Sequence, residues 1–142
     1  MTENKKIETV YYRSADLVEF VYKNPTTSST TTTAVNSILE TKVYNKSFSE
    51  TLGNALYSVT TFTDECHKEL TVYQATLFLK DGSVSYIIQS NGDTSNRRLH
   101  PGFYVYKIVS GSGDYLNLEG YVTQEVRNDS QGTRKLKVYQ TN

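Results

Sequence analysis

Two glutamates and a tyrosine alternate near the C-terminus in a pattern that could perform proton transfer. Glu119, Tyr121 and Glu125 are separated by even numbers of residues, so on a β-strand their side chains share one face. If that face points into a folded interior, Glu119 becomes a usable proton donor or base beside the Tyr121 hydroxyl. If the opposite face with Val122 and Val126 points inward, Glu119 lies on the surface. The sequence leaves both orientations open and makes Glu119 and Tyr121 the candidate catalytic residues.

Further tyrosines are candidates for contact with a ligand. Tyr104 and Tyr106 share one face of a predicted strand, and Tyr115 lies with Asn117 and Tyr121 on a face of the next predicted strand. A tyrosine suits a place where its ring is buried and its hydroxyl stays in water, such as a barrel mouth or a subunit interface. The sequence is therefore consistent either with packing in a core or interface or with a lining that stacks on a ligand.

A basic cluster, Asn96-Arg97-Arg98-Leu99-His100, lies between two predicted strands. Arg97, Arg98 and His100 could bind a carboxylate, a phosphate or an acidic partner. A solvated loop is the simpler interpretation.

Metal and nucleophile chemistry have little support. Cys66 and His67 are adjacent, so on a strand their side chains point to opposite faces, and the other histidine, His100, is distant in sequence. Cys66 with His100 would form a catalytic dyad only if the fold brought them together. We expect no metal site and no cofactor.

Composition excludes several other classes. The 142 residues include 15 basic and 15 acidic side chains, a balance that does not favour a nucleic-acid binder. A lone cysteine suits a reducing compartment, the first residues do not resemble a signal peptide, and no apolar run is long enough to span a membrane. We therefore expect an intracellular protein that is not secreted and does not associate with membranes.

Alternation with a period of two is the dominant pattern and predicts an all-β domain. Lys80-Asp81-Gly82-Ser83 is the strongest hairpin signal, because Asp-Gly readily adopts a tight turn between strands. The segment 14–22 is consistent with either a short helix or a strand. We expect one antiparallel barrel of eight or nine strands over residues 1–142, with a flexible Thr/Ser-rich loop at 24–33. The predicted strands are 6–13, 16–23, 35–45, 55–64, 70–80, 83–90, 103–110, 116–126 and 134–140.

Two blocks in the C-terminal half resemble the allene oxide cyclase/dirigent barrel superfamily. The first is TLFLKDGSV at 76–84, which is similar to the hairpin of that family. The second is IVSGSGDY at 108–115 followed by EGYV at 119–122, which is similar to its Gly-rich turn, aromatic residue and Gly-Tyr pair. The resemblance implies an eight-stranded antiparallel barrel, often trimeric, and cofactor-free chemistry on small apolar molecules.

Two functional hypotheses follow. The first is a noncatalytic barrel that self-associates as a dimer or trimer and acts as a binding or structural component. Because lysine outnumbers arginine and asparagine is frequent, an AT-rich source such as a large DNA virus is one origin, and a packaged component of its particle is then one role. The alternative is a cofactor-free isomerase or cyclase, or a barrel that binds a small apolar ligand in an internal cavity.

Overall fold

The computed structural model describes residues 5–22, 33–63, 66, 69–91 and 101–141. Within these residues the chain forms nine strands and one short 3₁₀ turn at Ser14–Asp16. Alternating apolar side chains, rich in Val, Tyr and Thr, explain why these segments become strands. The strands are β1 (Lys5–Arg13), β2 (Val18–Tyr22), β3 (Thr33–Tyr44), β4 (Thr51–Thr63), β5 (Glu69–Leu79), β6 (Gly82–Asn91), β7 (Gly102–Gly113), β8 (Gly120–Val126) and β9 (Thr133–Gln140).

All nine strands of the described chain belong to one antiparallel sheet with the order β1-β9-β8-β7-β6-β5-β4-β3-β2. Tyr11 of β1 pairs with Tyr44 of β3, and this contact closes eight of the strands into a barrel. Strand β2 lies outside the barrel and pairs with β3. The predicted all-β barrel is therefore confirmed, and the ambiguous segment 14–22 is a 3₁₀ turn followed by a strand.

The two ends of the barrel differ in burial. Turns at 45–50, 80–81 and 114–119 connect the strands at one end, which we call the closed end. Inward valine, leucine and alanine side chains near it are completely buried, and burial of each valine or leucine contributes roughly 1.5–3 kcal/mol relative to an exposed position. They are Val43, Ala55, Leu77, Val84, Val122 and Val138. Towards the opposite end, which we call the open end, burial of the inward side chains is mixed. Ser37, Val59, Thr71 and Val126 are buried there, whereas Leu39, Tyr73, Ile88, Tyr104 and Tyr106 are half-buried.

Strand β7 changes its partner half-way along its length. Residues 108–113 pair with β6, whereas residues 102–107 pair with β8. The β6–β7 register ends at Tyr86 with Ile108, and between the described residues of these strands no pairing continues towards the open end. The hydrogen-bonded ladder between β6 and β7 therefore ends beside Tyr86.

The predicted strand 116–126 is too long at its N-terminal end. Strand β7 continues to Gly113, a turn follows, and β8 begins only at Gly120. Gly113 and Asn117 both take positive φ angles, of 62° and 61°, which glycine and asparagine tolerate better than other residues. The backbone NH of Leu116 donates to the Gly113 carbonyl, so the apolar alternation of this segment belongs to a turn.

The described residues bear only partly on two further expectations, the Thr/Ser-rich loop and the lack of a membrane-spanning segment. Positions 24–32 of the predicted Thr/Ser-rich loop lie outside the described residues, and Thr33 begins β3. In the part of the chain that the structure describes, no helix is long and apolar enough to cross a membrane.

Candidate functional site

A layer of polar side chains crosses the barrel interior between the apolar closed end and the open end. It consists of Tyr12 on β1, Tyr57 on β4, Tyr86 on β6, Gln124 on β8 and Arg134 on β9, and we call it the inner polar layer. All five side chains are at most 5% exposed. Each occupies the inward parity of its strand, where its neighbours two residues away are mostly apolar. Burying five polar side chains in one layer is costly unless they find partners.

Tyr12 is the centre of the hydrogen bonding in this layer. The Tyr12 and Tyr57 hydroxyl oxygens are 2.7 Å apart and share a hydrogen bond. Gln124 Nε2 donates to the Tyr12 hydroxyl at 3.5 Å. Arg134, the cross-strand partner of Tyr12, also reaches this hydroxyl. Tyr12 therefore connects three strands that are distant in sequence.

Two polar atoms of the layer have no such partner. Among the described residues, neither the Tyr86 hydroxyl nor Gln124 Oε1 has a hydrogen-bond partner, although both are completely buried. The Tyr86 and Tyr57 hydroxyls are near enough to affect each other's pKa, but they do not meet with hydrogen-bond geometry. A buried polar group without a partner costs roughly 1–3 kcal/mol, so the layer carries unused hydrogen-bonding capacity.

Burial keeps the tyrosines of this region protonated at neutral pH. It raises the pKa of Tyr57 well above its usual 10.0, and Tyr12 adds to that shift. Burial also raises the pKa of Tyr86 and of Tyr12, the latter partly offset by the Tyr57 hydrogen bond and the Arg134 charge. For Tyr106, burial first and then Tyr104 raise the pKa to about 12. These hydroxyls can therefore donate hydrogen bonds at neutral pH and cannot act there as bases.

Tyr104 and Tyr106, both predicted as ligand-contacting residues, lie on the inward face of β7 towards the open end. The Tyr106 ring stacks on Tyr86, with centroids 5.3 Å apart and an angle of 15° between the planes. This pair therefore joins the inner polar layer to a half-buried aromatic side chain of β7. The alternation predicts that Tyr104 and Tyr106 share one face, and the structure shows that this face points inward.

The other predicted residues of this region lie elsewhere. Tyr115 is buried at the closed end, where its ring packs against the core. Asn117 and Glu119 are exposed in the turn before β8. Tyr121 is half-buried on the outer face of β8 and stacks on Tyr139 at 4.9 Å. The structure therefore shows the orientation in which Val122 points inward, and it does not bring Tyr115 or Tyr121 together with Tyr104 and Tyr106.

Asn117, Glu119 and Tyr121 instead line a surface groove of about 840 Å³ between β7 and the β7–β8 turn. Lys107 of β7 lines the same groove and pairs with Tyr121 across the strands. The groove is open to solvent and shares no residue with the inner polar layer. The β7 partner change explains it, because residues 108–113 leave β8 to join β6.

The predicted basic cluster and the histidines are not placed by the structure. Arg97, Arg98, His100 and His67 lie outside the described residues. Cys66 is exposed and is not part of a disulfide. Within the described ranges, no group of three or more His, Cys, Asp or Glu side chains could hold a metal ion.

Sequence reasoning missed the inner polar layer, although part of the signal was present. Gln124 lies between Val122 and Val126 on the apolar face of its strand, and Arg134 shares its parity with Leu136. A polar residue at an otherwise apolar parity marks either a buried interaction or a site. The convergence of residues from five strands, however, depends on barrel closure and cannot be read from local spacing.

Comparisons with known proteins identify solved structures with a similar architecture. No protein-family model matches the chain, and no curated protein matches it. Solved structures similar to it include a pyocyanin demethylase, with a TM-score of 0.51 and 13% identity over 96% of this chain and 99% of the other. AbnU, described as an exo-specific intermolecular Diels-Alderase, gives a TM-score of 0.52 and 17% identity over 96% and 98% of the two chains.

The pterocarpan synthase dirigent protein PsPTS1 is also similar, with a TM-score of 0.53 and 13% identity over 96% of this chain and 92% of the other. These likenesses span nearly the whole of each chain. The protein thus has the fold of these solved structures, a closed antiparallel β-barrel. More particularly, it has the allene oxide cyclase/dirigent-like barrel fold that the sequence blocks at 76–84 and 108–122 predicted.

Proposed function

We propose that the protein binds a small, mostly aromatic molecule inside the barrel, with its polar end at the inner polar layer and its apolar part at the open end. The observation that supports this most is the combination of unpartnered, buried polar atoms on Tyr86 and Gln124 with a half-buried aromatic surface above them. Small-molecule sites typically combine an apolar, aromatic lining with a few convergent polar groups.

Half-buried inward side chains towards the open end favour this function over a purely structural barrel. A barrel of eight strands is just wide enough to be filled by side chains or to hold one small ligand. Here the closed end is filled, whereas Tyr73, Ile88, Tyr104 and Tyr106 remain partly accessible on the inward face at the open end. The names of the similar folds denote activities on small organic molecules, which is in keeping with an internal site.

The chemistry available in the layer is hydrogen-bond donation and fixed positive charge. Tyr12, Tyr57 and Tyr86 stay protonated at neutral pH, and Arg134 stays charged. Such groups stabilise negative charge that develops on an oxygen atom of a bound molecule, without any cofactor. We therefore propose a binding barrel whose inner layer could also promote a rearrangement in which an oxyanion develops.

Binding of a neutral aromatic probe tests this proposal. We expect naphthamide to bind wild-type protein at one site per chain, with a dissociation constant on the order of a millimolar or below, because a small ligand gains roughly 0.3 kcal/mol per heavy atom. Tyr106→Ala removes the inward ring next to Tyr86 and should weaken binding at least tenfold in calorimetric titration. Val105→Ala, on the outer face of the same strand and 59% exposed, is the matched control and should change affinity less than twofold.

Equal effects of these two variants would contradict an internal site, since adjacent residues of β7 face opposite sides of the wall. Circular dichroism of both variants shows whether the barrel remains folded.

A second candidate function, self-association as a structural component, is favoured by a different observation. The outer faces of β6 and β7 expose large apolar side chains, and exposed apolar surface of this kind often marks interfaces. They are Ile87, Phe103, Val105 and Val109, at 49%, 66%, 59% and 54% exposure. We propose that a dimer or trimer would form through this surface; packaging in a virus particle remains a prediction from composition.

Sedimentation velocity at micromolar concentration measures this association. Wild type should sediment as a dimer or trimer, and Phe103→Glu should shift it to monomer because a charge in an apolar interface is costly. Leu116→Glu, on an exposed residue outside this surface, is the control and should leave the oligomer intact. A wild type that is strictly monomeric would remove this candidate and leave the internal binding site unaffected.

A further inference from the structure

Arg134 is the one cation of the inner polar layer, and its burial is unusual for a charged side chain. It lies at the start of β9, opposite Tyr12 on β1 and Val126 on β8, and is only 5% exposed. Its position two residues before the completely buried Leu136 places it on the inward face. Its positive charge also acts on the hydroxyls of Tyr12 and Tyr106, two residues of the inward face.

No anionic side chain compensates this charge in the described structure. The ion pair found among the described residues joins Arg13 to Asp16 at 4.0 Å, and it lies near the surface. The Tyr12 and Tyr106 hydroxyls, on which the charge of Arg134 acts, are neutral. A guanidinium cannot lose its proton in a protein, so its charge must be balanced by other means. Buried charges are normally paired, because desolvation of an unpaired ion is expensive.

We propose that the molecule held in the barrel carries a carboxylate, which Arg134 binds beside the Tyr12 hydroxyl. The planar guanidinium presents paired N–H donors whose spacing matches the two oxygens of a carboxylate. The aromatic part of the ligand then lies against Tyr106 towards the open end. This inference rests on the proposed function and adds the charge of the ligand to it.

Two probes of nearly the same shape test the inference. Naphthoate carries a carboxylate where naphthamide carries a neutral amide, so the ratio of their affinities isolates the charge. We expect wild type to bind naphthoate at least tenfold more tightly than naphthamide in calorimetric titration at neutral pH. In Arg134→Met the naphthoate affinity should fall at least tenfold and the naphthamide affinity should change less than threefold.

Lys107→Met is the matched control, because it removes an exposed positive charge from the outer face of β7. It should leave the preference for naphthoate intact. A preference that survives in Arg134→Met, or that disappears in Lys107→Met, would overturn the assignment to Arg134.

The two proposals fail in different ways. If wild type binds naphthamide and naphthoate equally, the carboxylate inference is wrong and the internal site stands. If wild type binds neither probe, the proposed function itself fails. Should Arg134→Met not fold, Arg134→Gln keeps the test, since it removes the charge and retains hydrogen-bond donors, and it should lose the same preference.

Discussion

Raising the pH above 10 should destabilise the folded protein steeply. Tyr12, Tyr57 and Tyr86 are nearly completely buried, and burial raises the pKa of each above the usual 10.0. In the unfolded chain these hydroxyls ionise near pH 10, while in the folded barrel they keep their protons. The unfolded state then binds fewer protons, so the free energy of unfolding is unaffected below pH 10 and decreases as the pH rises towards the folded pKa values.

The expected slope is large. Each tyrosine contributes about 1.4 kcal/mol per pH unit once it is ionised only in the unfolded state, so three together give a decrease of about 4 kcal/mol per pH unit. The measurement is guanidinium denaturation at several pH values between about 9 and 11.5, followed by fluorescence. Near-ultraviolet absorbance of the buried tyrosinates should increase together with unfolding and not before it.

Tyr86→Phe tests whether the slope arises from this layer. It removes one titrating hydroxyl and should reduce the slope by about 1.4 kcal/mol per pH unit. At neutral pH it should leave the free energy of unfolding unchanged or slightly higher, because the lost hydroxyl has no partner among the described residues. Val59→Ala is the control: it lowers stability at every pH and leaves the slope as it is. An unchanged slope in Tyr86→Phe would show that the alkaline effect has another source.

The second large effect is expected at the closed end of the barrel. Leu77 is completely buried on β5 and packs within the apolar cluster. Leu77→Ala should lower the free energy of unfolding by about 2–5 kcal/mol, through lost burial and through the cavity that remains. Chemical denaturation of wild type and variant at neutral pH gives this difference directly.

Leu116→Ala is the matched control for that substitution. Leu116 is 66% exposed in the turn before β8, so the same change of side chain there should alter stability by less than about 0.5 kcal/mol. A loss at Leu77 below about 1 kcal/mol would contradict a tightly packed closed end and would move the accessible volume of the barrel to that end.

The fold was predictable from sequence because strand alternation and turn residues are local signals. The Asp81-Gly82 turn joins β5 to β6 as expected, and each predicted strand corresponds to an observed one. The start of β8 was not predictable, because Leu116 and Leu118 alternate like strand residues while the backbone turns at Gly113 and Asn117. That turn exists because β7 continues beyond the point where β8 can pair with it.

The candidate site was predictable only in part. Alternation alone places Tyr104 and Tyr106 on one face, and the structure shows that this face is inward. Glu119, by contrast, is exposed before β8, because the inward parity of that strand belongs to Val122 and Gln124. The meeting of Tyr12, from the first strand, with residues of the fourth and last strands depends on closure between β1 and β3, a long-range contact that no local pattern encodes.

The most direct test is a crystal structure of the protein with naphthoate bound. We expect the naphthyl ring against Tyr106 at the open end and the carboxylate within hydrogen-bond distance of Arg134. Density for the probe in the outer groove beside Lys107 and Glu119, with the inner polar layer unchanged, would contradict an internal ligand site.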